Sequence, residues 1–388
     1  MPPSAQQHKC RSIRNSHSKI KAMVVPAAAA PECREAAAVA AVFSRRGIVV
    51  PTVDMSAPAG RGELSRQMVR ACAESGFFKA VNHGVPPRVA ATLDAAAAAF
   101  FAQAAPEKQL AGPPDPLGYG SRSIGTNGDV GELEYLILHT NSDAVARKAN
   151  AIDREDPRRF SQVVNDYVEA VRQLACHVLD LLGEGLGLRD PTSLTRLITA
   201  TDNDSLLRIN HYPPSCATAT RCAGGGGEPK SGGATTTTIG FGEHTDPQIV
   251  SVLRANDVNG LQLLLQPGTA AGDDVWVPVP PDPSAFFINV GDLLQALTNG
   301  RLVSVRHRVV AGTGKPRLST IYFAAPPLHT RISALPETVT AGAPRRYRAF
   351  TWAEYKKTMY TLRLSHNRLD LFHAGDSDAG VGDDDDQE

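Results

Sequence analysis

Apolar residues return every three or four positions through the middle of the chain. Phe160, Val164, Tyr167, Val171, Leu174, Val178 and Leu182 fall on one stripe, which predicts a long amphipathic helix from about Pro157 to Gly185. Glu63 to Ser75 and Pro87 to Ala102 also read as helices. After Leu206 the period drops to two, the signature of strands. In Arg301 to Val310, Val303, Val305, His307 and Val309 share one face, while Ser304, Arg306 and Arg308 share the other. Further on, Thr351 to Leu364 carries Trp352, Tyr355, Met359 and Leu362 at helical spacing. That helix is expected to pack back onto the core and to border any site there.

Asn259-Gly260 and Asn299-Gly300 are turn signals, expected between strands. The organisation predicted is an extension over residues 1–44 and a mixed, mainly helical region over 45–200. A β-rich core with a C-terminal helix follows over 201–375, and an acidic tail over 376–388. Within the core, residues 215–238 form a Gly-, Ser- and Thr-rich insert, expected to be a flexible loop. Its four consecutive glycines lack the Lys-Ser or Lys-Thr of a phosphate loop.

The polar residues on these strands carry chemistry. His244 and Asp246 are two apart and would aim together if Thr238 to Val250 holds a strand or its end. His307 follows far downstream. Two imidazoles and a carboxylate in this order match the facial triad of non-haem Fe(II) sites. Arg317 and Ser319 share a face of Pro316 to Phe323, as Asn210 and Tyr212 do in Leu206 to Tyr212. A guanidinium fork with nearby hydroxyls suits the far carboxylate of 2-oxoglutarate. The 2-oxo acid and dioxygen would then occupy the three open positions of an octahedral ion. A barrel or jelly roll turns four such strand faces into one interior.

Each fragment alone favours a bland origin. A lone His-x-Asp is common on surface strands, and His307 alone reads as a packed core histidine. Order and spacing together favour the metal. Zinc is the alternative ion, but no Glu stands in a His-Glu-x-x-His arrangement, and Glu243 points away from His244.

The chain resembles the plant 2-oxoglutarate- and iron-dependent dioxygenases from about Val49 to Phe372. The likeness is carried by Val50-Pro-Thr-Val-Asp54, Gly76 to Gly84, Asn127 to Gly131 with Glu134-Tyr135, Arg208 to Pro214, Gly240 to Gln248 and Asn289 to Gly300. Within that family it looks most like the gibberellin 2-oxidases that act on C19 gibberellins. The resemblance implies an α+β fold, with a double-stranded β-helix (jelly-roll) core flanked by helices. It implies hydroxylation at carbon 2, which inactivates the hormone. It also implies iron on His244, Asp246 and His307, with 2-oxoglutarate on Tyr212, Arg317, Ser319 and the neighbouring Asn210. Dioxygen would be co-substrate and ascorbate a candidate reductant. A gibberellin is a rigid, mostly apolar diterpenoid with a carboxylate. Its pocket should be largely hydrophobic, and Tyr119, Tyr135, Tyr322 and Phe323 are candidate contacts.

Bulk composition is compatible with this. The 388 residues are 42% hydrophobic, enough for a substantial core. Forty basic and forty acidic residues give no bias toward nucleic acid, and no apolar run is long enough to span a bilayer. Six scattered cysteines without Cys-x-x-Cys suggest reduced thiols in a cytoplasmic enzyme, with Cys72 and Cys176 in the core. The basic residues 1–22 resemble a transit peptide only faintly, and an upstream extension is the preferred expectation. Monomer and homo-oligomer are both open.

Overall fold

A computed structural model describes residues 50–114, 117–124, 128–214, 238–265, 274–312 and 314–375. The expected extension, most of the insert, Cys216, Cys222 and the acidic tail lie outside the described residues. In chain order the elements begin with β1 (Thr52–Asp54), α1 (Arg61–Glu74), β2 (Phe77–Val81), α2 (Pro87–Phe101), α3 (Ala105–Gln109), β3 (Gly118–Ile124) and β4 (Asp129–His139). Next come α4 (Ser142–Ile152), α5 (Pro157–Leu186), α6 (Ser193–Thr199), β5 (Leu206–Tyr212), β6 (Ile239–His244), β7 (Val250–Ala255) and β8 (Leu261–Leu265). The rest are β9 (Val275–Pro278), β10 (Phe286–Val290), α7 (Asp292–Leu297), β11 (His307–Val310), β12 (Arg317–Ala324), β13 (Arg331–Ile332), β14 (Phe350–Thr351) and α8 (Trp352–Thr361).

Helix α5 forms where the apolar stripe predicts it. Asp156 caps its start by accepting from the Arg159 amide, and Pro157 occupies the first turn, where its missing N–H costs nothing. It ends at Gly187, whose φ of 75° lets Leu188 N–H reach back to Gly183 O at 3.0 Å. Phe160, Val164, Tyr167, Val171, Leu174, Val178 and Leu182 are all buried. Each such side chain contributes about 1.5–3 kcal/mol of apolar burial, so the stripe holds the helical layer onto the sheet. Helices α1, α2, α4 and α6 pack around α5, which lies against β7 and β12.

Two sheets face each other. The large one runs β1-β2-β10-β7-β12-β5-β4-β3 and the small one β6-β11-β8-β9. Apart from the parallel β1–β2 pair, their ladders are antiparallel. This is the expected jelly-roll core flanked by helices. Strands β1 to β4 come from the first 200 residues yet belong to the large sheet, so the sheet itself has no break at residue 200. One face of that sheet joins the helical core through Leu207, Ile209 and Tyr322. The opposite face joins Phe77, Tyr135, Tyr212, Phe241, Leu263, Val309 and Ile321 in a second apolar cluster between the sheets.

Three local expectations change. Only His307 to Val310 is strand within Arg301 to Val310, and Val303 is exposed. The preceding residues bend because they are tied elsewhere: Val303 N donates to Cys72 O and Ser304 N to Gln295 Oε1. Asn299-Gly300 closes α7 rather than a hairpin, with both residues at positive φ. Cys72 is buried as expected, whereas Cys176 is only half-buried.

Candidate metal centre

His244 ends β6 and His307 opens β11, and the antiparallel register sets the two opposite each other. Asp246 lies two residues past the end of β6, in the loop before β7. Its aim therefore comes from anchoring and not from strand pleat. The Asp292 amide donates to Asp246 O at 2.8 Å, and Asn289 Nδ2 donates to Asp246 Oδ2 at 3.0 Å. Oδ1 is left facing the imidazoles, 3.8 Å from His244 Nε2 and 3.6 Å from His307 Nε2. One donor atom from each of the three residues lies within 4.8 Å of the others, and all three side chains are buried. It is the one group of this kind among the described residues.

The ring nitrogens are sorted by their backbone partners. His244 Nδ1 lies 2.8 Å from Gly242 O, and His307 Nδ1 lies 3.2 Å from Val305 O. A carbonyl only accepts, so each Nδ1 carries the proton and each Nε2 presents a lone pair. Burial, helped by the neighbouring His307, pushes the His244 pKa well below its ordinary value. A neutral imidazole is what a metal requires. Asp246 is held below its ordinary pKa: burial pushes up, and the imidazoles of His307 and His244 outweigh it.

Behind the loop sits a buried polar network. Asp292 accepts from Thr245 Oγ1 at 3.1 Å and from Tyr355 OH at 2.7 Å. Arg368 Nη1 donates to Thr245 O at 3.3 Å and lies 3.8 Å from Asp292 Oδ2. Helix α8 thus borders the site through Tyr355, as its stripe suggested. Glu243 turns outward to Arg306 at 3.0 Å, which removes it as a base.

A second polar group lies along β5 and β12. Arg317 pairs in register with Tyr212, and Ser319 with Asn210. All four are buried. The Arg317 guanidinium lies 5.2 Å from the Tyr212 ring centroid. Among the described residues, Arg317 Nε, Arg317 Nη1 and Ser319 Oγ have no hydrogen-bond partner. A buried cation with free donors is costly unless an anion completes it. A dicarboxylate fits this need, and the sorted imidazoles and free Asp246 oxygen fit a divalent ion.

Gly260 makes room for this arrangement. A Cβ there would stand 2.7 Å from Val310 O and 3.2 Å from Arg317 Cδ, at a φ of 153°. Gly260→Ala is therefore expected to push Arg317 out of place and to raise the KM for 2-oxoglutarate about tenfold, as a misplaced charged hydrogen bond would. Succinate assays over a 2-oxoglutarate series check this, and an unchanged KM would show that the site tolerates the shift.

The candidate substrate contacts divide by sheet face. Tyr135 and half-buried Phe323 join the cluster between the sheets, on the metal side. Tyr119 and Tyr322 belong to the helical core on the other face and do not line the site. Strand alternation explains this, because Tyr322 is out of phase with Ser319 and Arg317. Tyr119 instead donates to Glu134 Oε2 at 2.7 Å, in a network with Lys108 and His211. Sequence reasoning passed over Asn289, Asp292, Arg368, Phe241 and Arg208. Of these, Arg208 had a signal, since it shares the period-two face of Asn210 and Tyr212.

These features define a 2-oxoglutarate- and Fe(II)-dependent dioxygenase. The 2OG-Fe(II) oxygenase superfamily matches residues 203–326, and the family described as non-haem dioxygenase in morphine synthesis N-terminal matches residues 50–155. A rice (Oryza sativa subsp. japonica) protein, gibberellin 2-beta-dioxygenase 2, is 84% identical over 94% of this chain and 100% of its own length. The gibberellin 2-beta-dioxygenase of Phaseolus coccineus is 47% identical over 85% of this chain and 92% of its own. Among solved structures, JOX2 in complex with 2OG, Fe and JA is similar at TM-score 0.70 and 26% identity, covering 84% of this chain and 89% of its own. The rice dioxygenase for auxin oxidation is similar at TM-score 0.67 and 27% identity, over 84% and 100%. The chain belongs to the gibberellin 2-beta-dioxygenase family of 2OG-Fe(II) oxygenases. Among the described residues no helix is long and apolar enough to cross a membrane.

Proposed function

We propose that this enzyme hydroxylates C19 gibberellins at carbon 2, on the β face, and so inactivates the hormone. 2-Oxoglutarate and dioxygen are consumed, and succinate and carbon dioxide are released. His244, Asp246 and His307 would hold the ferrous ion, which when bound supplies dioxygen activation coupled to oxidative decarboxylation of the co-substrate. Arg317 grips the far carboxylate of 2-oxoglutarate, with Ser319 and Tyr212 completing the grip and Asn210 beside them. The apolar cluster between the sheets keeps bulk water away and holds the substrate. Position selects the carbon that reacts, because the nearest C–H bond is the one attacked. The reading places the enzyme in the cytoplasm, acting on a small molecule, with neither nucleic acid nor membrane as partner.

The observation that carries this reading is the 84% identity to a rice gibberellin 2-beta-dioxygenase across that protein's whole length. Support also comes from the unpartnered donors of Arg317 and Ser319 beside the His-Asp-His group. The test is mass spectrometry of products from a gibberellin panel incubated with enzyme, Fe(II) and 2-oxoglutarate. The expected result is a 2β-hydroxylated C19 product with succinate in equal amount. Products oxidised at carbon 3 alone would identify a sister oxygenase and overturn the reading.

A further inference from the structure

Beside Arg317, the space between the sheets holds the guanidinium of Arg208. Arg208 lies on β5, on the face shared by Asn210 and Tyr212. Its guanidinium carbon sits 4.2 Å from the Tyr135 ring centroid and 4.8 Å from that of Phe241. Nε donates to Asn210 Oδ1 at 2.8 Å. Two rings and one amide thus fix its plane. Nη2 is sealed from solvent and has no hydrogen-bond partner among the described residues. Phe241 in turn meets His244 edge-on, with ring centroids 4.3 Å apart. The cation is therefore one aromatic ring away from a metal ligand.

Such a group is costly as it stands. A fixed, half-buried guanidinium with one sealed and open donor calls for an anion. No carboxylate among the described residues forms an ion pair with it. In the proposed reaction Arg317 would take the far carboxylate of 2-oxoglutarate, and the His-Asp-His group would hold its 2-oxo acid end. The remaining acid in the proposed reaction is the substrate.

We propose that Arg208 recognises the carboxylate of the gibberellin and thereby sets which carbon faces the metal. This rests on the gibberellin reading and deepens it. Arg208 is a specificity-determining residue here: it binds one end of a rigid, apolar molecule whose body packs among Tyr135, Phe241 and Phe323. A rigid substrate anchored at its acid has one orientation left to choose, so a single ion pair can fix the reacting position.

The test compares a gibberellin free acid with its methyl ester, on Fe(II)- and 2-oxoglutarate-loaded wild type, Arg208→Met and Arg208→Lys. Wild type is expected to show a KM for the acid about 10- to 100-fold below that for the ester, the size of one charge-assisted contact. Arg208→Met should lose that preference by raising the KM for the acid, with the KM for 2-oxoglutarate held within about twofold. Arg208→Lys should recover part of it. A strut role would leave the acid preference intact in the Met variant, and a co-substrate role would raise the 2-oxoglutarate KM in parallel. Either result overturns the proposal, as does equal handling of acid and ester by wild type, which needs no variant to fold. A parallel thermal-shift titration separates the two readings. A larger shift with acid than with ester, abolished in Arg208→Met but without 2-hydroxylated product, refutes the reaction while supporting Arg208.

Discussion

Asp246→Ala is expected to abolish turnover while the fold stands. Asp246 Oδ1 is the shared neighbour of both imidazole Nε2 atoms, at 3.8 and 3.6 Å. Without it two nitrogens remain, and they cannot define a face of an octahedron. Iron affinity should fall by more than the about 100-fold that loss of an orienting partner alone costs. Stability should fall modestly while the fold stands. Removing the acid relieves its own desolvation but gives up the Asn289 contact of about 1 kcal/mol and the attraction of the two histidines, which together outweigh that burial. Succinate release, iron retained per chain after dialysis and far-ultraviolet thermal melting check the three parts. A variant that keeps its iron and its turnover would remove Asp246 from the centre.

Arg317→Met should separate binding from stability in opposite directions. Two charge-assisted hydrogen bonds to a carboxylate are worth about 3–4 kcal/mol together, or roughly 100- to 1,000-fold in co-substrate affinity. The KM for 2-oxoglutarate should rise by that order. The same guanidinium is a liability in the empty protein, because it is only 3% exposed and two of its nitrogens lack partners among the described residues. Methionine fills much of its volume without the charge. The variant without ligand should therefore melt at or above the wild-type temperature, yet gain little when 2-oxoglutarate is added, since ligand stabilisation follows affinity. Differential scanning with and without 2-oxoglutarate reads both. A variant destabilised without ligand, with its KM unchanged, would make Arg317 a packing residue.

Much of the site could be read from the chain because strands advertise themselves. Arg317 with Ser319, and Asn210 with Tyr212, obey the period of two, and the structure sets them in register across β5 and β12. His244 and His307 follow from the same rule on β6 and β11. The structure brings together the three residues named from the sequence, but the reason given for the middle one was incomplete. Asp246 stands beyond the strand, and what aims it is Asn289 and the Asp292 amide, contacts across dozens of residues that leave no periodic trace. Val303 failed for a related reason: its alternation with His307 is real in sequence, but the strand begins only at His307. Tyr119 and Tyr322 were candidates by position or type, and the pleat sends both to the helical side. Arg208 was the reverse case, on the right face by period but masked by the stronger motif around it.

Arg368 clasps the ligand loop from far downstream in the chain. Its guanidinium is 2% exposed and reaches Thr245 O, inside the ligand loop, from the last described turn of the chain, Arg368 to Phe372. During synthesis the three ligands leave the ribosome well before that turn does. A nascent chain lacking it would own every metal donor but not the clasp that steadies their loop. Chains ended at Thr361 should accordingly bind iron more weakly than the whole protein, and equal iron retention would show that the clasp plays no such part.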